Sequence, residues 1–253
     1  MIPITRAIIA ILIIGVASIF LIPAQWLAMR FNWDMKRSLP QLWHRLVANM
    51  IGVKIIVNGS PDTGKPLLVA ANHTSWLDVP VIGSLAPFAF VAQKGIGAWP
   101  ALRLLASLQG ALIPGAESGK PARMQGPLLV FAEGKANAGN GILPFQADLI
   151  EAARAALADG AGEIWVQPLS VAYTTLQGLP MGRQFRPVIA WTGTIRFLPH
   201  FWIVMREYSI DAVVSFGDPI RCGENDDIAE IVRHAEDSVR KMTANVLTGR
   251  SAY

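Results

Sequence analysis

The chain has 253 residues, of which 52% are hydrophobic and 16% charged, and its mean hydropathy of +0.38 exceeds that of ordinary soluble proteins. A net charge of +4 favours an anionic partner, and a membrane surface or an acidic protein fits as well as nucleic acid does. Nucleic acid is set aside because no basic run carries interleaved aromatic residues. The single cysteine, Cys222, excludes an intramolecular disulfide and a thiolate-cluster metal site. Composition therefore indicates a membrane-associated protein with one sizeable core.

Residues 7–22 form a nearly continuous apolar run, which resumes after Pro23 and continues to Met29. Such a run is long enough to cross a bilayer, which takes about 20 residues. Its length and the lack of a convincing small-residue cleavage site argue against a signal peptide, whereas a transmembrane anchor and a kinked hairpin within one leaflet both stay open. Only Arg6 precedes the run, so the positive-inside rule predicts attachment to the inner (cytoplasmic) membrane with the remainder facing the cytoplasm. The cations that follow the run are Arg30, Lys36, Arg37 and Arg45.

Beyond this segment, strand-like apolar runs alternate with helical patterns, as in an α/β fold with a buried mixed sheet. We therefore expect residues 1–50 to form membrane-anchoring helices and residues 51–253 to form one mixed-sheet domain with helices packed on it. The predicted strands are 53–57, 67–71, 88–92, 111–113, 128–131, 164–172, 188–191 and 212–216. The predicted helices are 41–50, 77–85, 99–108, 147–157, 199–207 and 226–246.

A histidine and an aspartate five residues apart, His73 and Asp78, follow the predicted buried strand 67–71. Imidazole accepts a proton near neutrality, and a carboxylate within hydrogen-bonding distance fixes its tautomer. At this spacing the two side chains point about 140° apart in a straight helix and to opposite faces in a strand, so they meet only if the chain turns between them. A strand that ends before a helix with Pro80 in its first turn would provide that turn. An isolated pair of this kind is more often structural than catalytic, so a second motif has to decide.

The second motif is Phe131-Ala132-Glu133-Gly134, where another predicted strand runs into a turn glycine that follows an acid. With the motif Asn72-His73 through Asp78, it resembles the glycerophosphate acyltransferase family, whose members include lysophosphatidate acyltransferases and lyso-ornithine-lipid O-acyltransferases. Ala132 stands where that family has proline. Residues 90–94 with Trp99-Pro100, and residues 166–173, also resemble family blocks, so the resemblance covers residues 43–220.

The resemblance implies an acyltransferase domain at 51–253 that moves a fatty acyl group from a thioester to the hydroxyl of a lysolipid, with no cofactor or metal. The donor would be an acyl carrier protein or coenzyme A thioester, and the lysolipid would come from the membrane. Because a thioester is already activated, the enzyme needs a base for the hydroxyl and a stabiliser for the oxyanion. His73 is the expected base, and Asp78 is expected to orient it. The expected substrate-binding residues from these blocks are Asn72, Lys94, Glu133, Gly134 and Lys135.

Three departures from the family pattern bear on substrate binding. Phosphate-binding members carry threonine and arginine after the glycine of the second motif, and this chain has Lys135 and Ala136. Those members also carry an arginine shortly after the position of Gly110, where this chain has none. The family lysine of the third block falls at Gln93, one place before Lys94. Since the arginine fork is the natural clamp for a phosphate monoester, the first two departures weaken the case for lysophosphatidate.

The tract from Phe131 to His200 resembles the lyso-ornithine-lipid branch, whose acceptor hydroxyl lies on an amide-linked 3-hydroxy fatty acid. A lyso-aminolipid acceptor is therefore preferred, with Arg183 and Arg186 as candidates for binding its anionic headgroup. Three alternatives stay open. They are a lysophosphatidate acyltransferase with Lys135 as a point charge for the phosphate, a catalytically inactive lipid-binding relative, and a thioesterase in which the same base activates water.

Overall fold

The computed structural model describes residues 2–91, 126–157 and 163–250. In these ranges the chain forms one mixed sheet with a layer of helices on each face, as the sequence pattern predicts. The strands are β1 (Val53–Asn58), β2 (Leu67–Ala71), β3 (Ala89–Phe90), β4 (Leu128–Phe131), β5 (Glu163–Leu176), β6 (Leu179–Pro180), β7 (Ile210–Phe216) and β8 (Ile220–Gly223). The helices are α1 (Ile2–Arg30), α2 (Ser38–Ile51), α3 (Asp78–Gly83), α4 (Ala147–Leu157), α5 (Arg186–Ile189), α6 (Phe197–Arg206) and α7 (Ile228–Leu247).

The strand order β1-β7-β5-β2-β4-β3 places β2 between two parallel neighbours, β5 and β4. In the register, Ala71 at the end of β2 pairs with Phe131 at the end of β4. The strand β5 is antiparallel to β7, and it also pairs with the short strands β6 and β8. Because parallel strands end at the same edge of a sheet, the segments that follow β2 and β4 emerge side by side. Both sequence motifs lie in these segments.

The two faces of the sheet contact different helices, because successive side chains of a strand point to opposite sides. On β2, Val69 belongs to a buried cluster that contains residues of α1, α2, α3 and α6. Its neighbour Leu68 belongs to a second cluster that contains residues of α4 and α7. Helices α1 and α6 therefore pack on one face of the sheet, and α7 packs on the other.

Helix α1 packs against the rest of the protein at three points along its length. The guanidinium of Arg6 donates hydrogen bonds to the carbonyls of Met50 and Ile51 at the end of α2, and to those of Met205 and Glu207 at the end of α6. Further along, Ser18 Oγ accepts from the indole of Trp43, and Gln25 donates to the carbonyl of Lys36. From residue 6 to residue 25 a helix rises about 28 Å, so α1 is held against the protein over most of its length.

One strand predicted from the sequence is wrong. Residues 188–191 are apolar enough for a buried strand, but Arg186–Ile189 form the helix α5. Pro187 lies in its first turn, where a missing N–H costs nothing. The short strands β6 and β8 were not predicted, and β5 extends four residues beyond the predicted end. The predicted strand 111–113 and helix 99–108 lie outside the described residues.

Candidate active site

A tight turn between β2 and α3 brings His73 and Asp78 together. Nδ1 of His73 lies 2.8 Å from Oδ2 of Asp78. The same carboxylate oxygen accepts hydrogen bonds from the backbone N–H groups of Thr74 at 2.6 Å and Ser75 at 2.9 Å. Asp78 is the first residue of α3, so its side chain reaches back over the turn and closes it. The turn that the spacing of the two residues requires is present.

Asp78 is fully buried, and the central strand β5 supplies a partner for its second oxygen. The hydroxyl of Tyr173 donates to Oδ1 of Asp78 at 2.7 Å. Burial and the neighbouring charge of Asp78 raise the pKa of Tyr173 well above its ordinary value, so the phenol keeps its proton and acts as a donor. With donors on both oxygens, the carboxylate acts as an acceptor. Nδ1 of His73 therefore carries the hydrogen of this pair, which makes Nε2 the basic nitrogen.

The plane of the His73 ring is fixed by stacking. The ring lies 4.1 Å from that of Phe131, centroid to centroid, at an interplanar angle of 21°. Phe131 ends β4 and begins the second motif, so the parallel pairing of β2 and β4 places the aromatic ring beside the imidazole. The His73 side chain is 13% exposed. The imidazole is therefore oriented on one side by Asp78 and on one face by Phe131, while part of the ring stays accessible.

Glu133 lies beneath the turn and is enclosed by protein donors. Its carboxylate accepts hydrogen bonds from the backbone N–H groups of His73 and Leu143, each at 3.0 Å. Both of its oxygens also accept from the side-chain amide of Asn137. Burial raises the pKa of Glu133, and these hydrogen bonds oppose the rise. The side chain thus connects the two motifs through the backbone of His73. Direct contact of Glu133 with the acceptor stays a prediction.

Gly134 has a φ of +70° in the turn that follows Glu133. A Cβ at this position would lie 2.6 Å from the side chain of Gln146, whose amide donates to the carbonyl of Glu133. The backbone conformation therefore favours glycine, and a side chain here would also displace the end of Gln146. Lys135, the next residue, is exposed. A role of either residue in substrate binding stays a prediction.

Asn72 is buried and binds the backbone of β5. Its amide donates to the carbonyl of Val171 at 2.9 Å, and its side-chain oxygen accepts from the N–H of Val171 at 2.8 Å. These two bonds continue the pairing of β2 with β5 beyond the end of β2. The neighbouring residue Thr74 lines a small cavity behind the turn, together with Asn72, Gly139, Gly141, Tyr173 and Arg186.

Of the two arginines predicted to bind the headgroup, Arg186 lines this cavity. Arg186 donates from Nη1 to Oδ1 of Asn140 at 3.1 Å, and its buried Nε has no hydrogen-bond partner among the described residues. Burial lowers the pKa of Arg186, and the charge of Arg183 lowers it further. Arg183 is exposed. The structure thus places two mutually repelling cations close together, and one of them lies near the turn that carries His73 and Asp78. Lys94 lies outside the described residues, so its predicted role stays a prediction.

Sequence reasoning did not assign roles to Tyr173, Asn137 and Phe131. Tyr173 falls in a family-like block, yet only the parallel pairing of β5 with β2 in the sheet brings its hydroxyl to Asp78. Asn137 follows Glu133 by four residues in a loop, where no periodic pattern predicts its position. Phe131 belongs to a quoted motif, but its contact with His73 depends on the register of β2 and β4.

Comparison with known proteins identifies the family. The Acyltransferase family profile matches residues 52–172, which contain both motifs. The chain is 36% identical over 245 residues to the lyso-ornithine lipid O-acyltransferase of Brucella abortus (strain 2308), and the match covers 92% of each chain. It is 34% identical over 252 residues to the lyso-ornithine lipid O-acyltransferase of Rhizobium meliloti (strain 1021), which covers 95% of this chain and 86% of that one.

A solved structure shares the fold. The crystal structure of the 1-acyl-sn-glycerophosphate acyltransferase PlsC from Thermotoga maritima matches with a TM-score of 0.58 and 17% identity, over 98% of this chain and 100% of that one. The identity to the two relatives extends well beyond the matched domain, into the segments on either side of residues 52–172. The chain belongs to the PlsC-like acyltransferase family, and it is an O-acyltransferase of lipid biosynthesis that uses an acyl donor and a lysolipid acceptor.

Proposed function

We propose that this protein transfers a fatty acyl group from an acyl carrier protein or coenzyme A thioester to the free hydroxyl of a lyso-ornithine-type lipid. The observation that carries the acceptor class is the similarity to two lyso-ornithine lipid O-acyltransferases over almost the whole chain. The missing arginines of the phosphate-binding pattern agree with it, because an amino-acid headgroup carries no phosphate monoester.

In this proposal, His73 is the general base and Asp78 orients it. As the acceptor oxygen attacks the thioester carbonyl, Nε2 of His73 takes the hydroxyl proton, and the carbon–sulfur bond then breaks. The proton passes to the departing thiol sulfur, so the base is regenerated and no covalent enzyme intermediate forms. A base of this kind contributes roughly 10²–10⁴-fold in rate. The 2.8 Å contact with Asp78 supports this role by stabilising the imidazolium that forms.

Glu133 has a positioning role in the proposed mechanism. Its hydrogen bonds to the backbone of His73 and Leu143 tie the turn from His73 to Asp78, here called the catalytic turn, to the loop that follows β4. A shift of either segment would misplace Nε2 relative to the acceptor oxygen. Since misplacement of a catalytic group by about 1 Å can cost about 10²-fold in rate, the enclosed carboxylate contributes to catalysis without touching the substrate.

Arg183 and Arg186 supply the positive charge for the acceptor headgroup. Arg186 is the closer to the catalytic turn, because it lines the cavity that Thr74 also lines. Its Nε, which has no partner within the described part of the chain, retains a donor for an anionic ligand, and a carboxylate would relieve the repulsion between the two guanidinium groups. The α-carboxylate of an ornithine headgroup has this chemistry.

The protein lies on the membrane with α1 in the plane of one leaflet. Residues 3–30 are long and apolar enough to cross a bilayer. However, α1 is held to the rest of the protein at Arg6, Ser18 and Gln25, so a crossing helix would bring the attached domain into the hydrocarbon with it. An in-plane helix avoids this cost and leaves its outer apolar face in the lipid. Residues 1–50 then act as the anchor of the acyltransferase domain 51–253, on the cytoplasmic side of the inner membrane.

A competition assay tests the acceptor. Purified full-length protein in mixed micelles receives one labelled acyl donor, in separate carrier-protein and coenzyme A arms, with equal amounts of lyso-ornithine lipid and lysophosphatidate. Label on ornithine lipid supports the proposal if the KM for lyso-ornithine lipid is also higher in Arg186→Gln than in the surface control Arg233→Gln. Label on phosphatidate alone assigns the lysophosphatidate activity. Free fatty acid without acceptor would indicate a thioesterase, and no turnover in either arm would indicate a lipid-binding relative without activity.

A further inference from the structure

Helix α6 is apolar on both of its faces. Its inner face is buried through Val204 and Met205 in the core. Its outer face exposes Leu198 at 74%, with Trp202 and Ile203 one turn further along and also exposed. A surface helix of a soluble protein carries polar residues on its outer side, whereas a helix that is apolar all round is enclosed by protein or lipid. The outer face of α6 therefore requires an apolar partner.

The inner side of α6 contacts the catalytic turn directly. Trp76, which lies between His73 and Asp78, packs against Phe197 and Phe201 with ring centroids 5.8 and 5.5 Å apart. Its indole N–H also donates to Nδ1 of His200 at 3.1 Å. The position of α6 is thus coupled to the position of the catalytic turn through one aromatic cluster.

The segment that contains α6 is positively charged. Between residues 183 and 206 there are four arginines and no acidic residue. Two of them, Arg196 and Arg206, flank α6 at its ends. An apolar stripe bracketed by cations is the pattern of a helix that lies in the interface of an anionic leaflet, with its side chains in the acyl region and its arginines at the headgroups.

Helix α6 is also on the same side of the protein as the proposed anchor. It packs on the sheet face that carries α1, and Arg6 of α1 donates to the carbonyls of Met205 and Glu207 at the C-terminal end of α6. The exposed apolar side chains of α1, which include Ile8, Leu12 and Phe20, are therefore on the same layer as those of α6. A leaflet that contacts α1 can therefore also contact α6.

We propose that α6 and the basic segment before it, residues 183–196, form a second membrane-contact surface that binds an anionic lipid leaflet and holds the catalytic turn at that leaflet. The inference rests on the proposed membrane location but goes beyond the anchor, because it assigns a lipid contact inside the acyltransferase domain. Through Trp76, this contact places His73 where a lysolipid hydroxyl emerges from the leaflet. The occupant is a lipid surface and not a second protein.

A depth-quenching experiment tests the contact. In a Cys222→Ala background, a single cysteine is introduced at Ile203→Cys and, as the control, at Lys241→Cys, which is exposed on α7 across the sheet. Each full-length protein is labelled with an environment-sensitive fluorophore and mixed with phosphatidylcholine–phosphatidylglycerol vesicles that carry a spin label in the acyl chain. Quenching at position 203 and none at 241 is the expected result. Bound protein with no quenching at 203, or with equal quenching at both positions, would overturn the inference.

Activity separates this inference from the proposed function. In the double variant Leu198→Asp/Ile203→Asp, we expect the apparent KM for vesicle-borne lysolipid to rise about tenfold, while turnover of a monomeric short-chain lysolipid is retained. Equal kinetics on vesicles would contradict the contact. Loss of turnover on both substrates in a protein with unchanged melting would assign α6 to catalysis and also contradict it. Failure of the wild-type protein to acylate any lysolipid would instead count against the proposed function.

Discussion

The hydroxyl of Tyr173 donates to Oδ1 of Asp78 at 2.7 Å, while Oδ2 of the same carboxylate lies 2.8 Å from Nδ1 of His73. The carboxylate is therefore held between the central strand β5 and the catalytic turn. The turn alone does not fix Asp78, because a residue 95 positions later in the chain completes its hydrogen bonds. Tyr173 is a positioning residue in this arrangement, since it reaches the base only through Asp78.

Tyr173→Phe removes this hydrogen bond without changing the packed ring. We expect kcat to fall about tenfold, in line with the ~1.5 kcal/mol of a hydrogen bond to a charged group. Thr175→Val is the matched control, because it removes a buried hydroxyl of β5 that has no hydrogen-bond partner among the described residues. A kcat from steady-state kinetics that is as high in Tyr173→Phe as in Thr175→Val would reduce the role of Tyr173 to packing.

Glu133→Gln distinguishes positioning from acceptor binding. In this variant the NH2 group of the glutamine would face N–H groups that now donate to the carboxylate. Two donors repel each other, so the backbone of His73 would shift. We expect kcat to fall about 10²-fold with little change in the KM for lysolipid. Steady-state kinetics over a range of lysolipid concentrations measure the two constants separately. A raised KM with kcat preserved would mean instead that Glu133 contacts the acceptor.

Because His200 is buried, we expect the protein to lose stability in mild acid. Burial lowers the pKa of His200, although the carbonyls of Ala190 and Val188 oppose the shift. Below its ordinary value of 6.5, the unfolded chain binds a proton that the folded protein does not, so the free energy of unfolding falls as pH falls, by at most about 1.4 kcal/mol per pH unit. His200→Gln, which keeps an acceptor for Trp76, should flatten this slope in thermal melts between pH 7.5 and 5.5. The exposed-site variant His234→Gln should not, and equal slopes in all three proteins would contradict the assignment.

Arg6 connects α1 to the ends of α2 and α6, and its removal should loosen both contacts. In Arg6→Ala, four backbone carbonyls lose a charged donor, and each partly buried group left unsatisfied costs about 1 kcal/mol or more. We expect a lower melting temperature in detergent and faster proteolysis near the start of the chain. Arg30→Ala, an exposed cation at the other end of α1, is the control. The same melting temperature for both variants would show that the hydrogen bonds of Arg6 do not stabilise the docking of α1.

Features of the fold that depend on local sequence were predictable, and contacts that depend on the order and register of the strands were not. The helix at 147–157 and the buried strand at 67–71 have strong periodic patterns, and both form with the predicted bounds. The spacing of His73 and Asp78 required a turn because neither regular structure brings them together. The contact of Tyr173 with Asp78 depends on strand order instead, which hydrophobic patterns do not specify. The wrong strand at residues 188–191 has a local cause. An apolar run that short does not distinguish a strand from a buried helical turn, and Pro187 favours the helix.

The most direct test of the central claim is acyl transfer to lyso-ornithine lipid by the wild-type protein and by His73→Ala and Asp78→Asn, each with saturating acyl donor in mixed micelles. We expect His73→Ala to lose at least about 10²-fold in kcat, and Asp78→Asn to lose a similar factor because the amide no longer fixes the imidazole tautomer. Melting temperatures close to that of the wild type would show that both variants fold. Ornithine lipid formed by folded His73→Ala at the wild-type rate would contradict the assignment of His73 as the base.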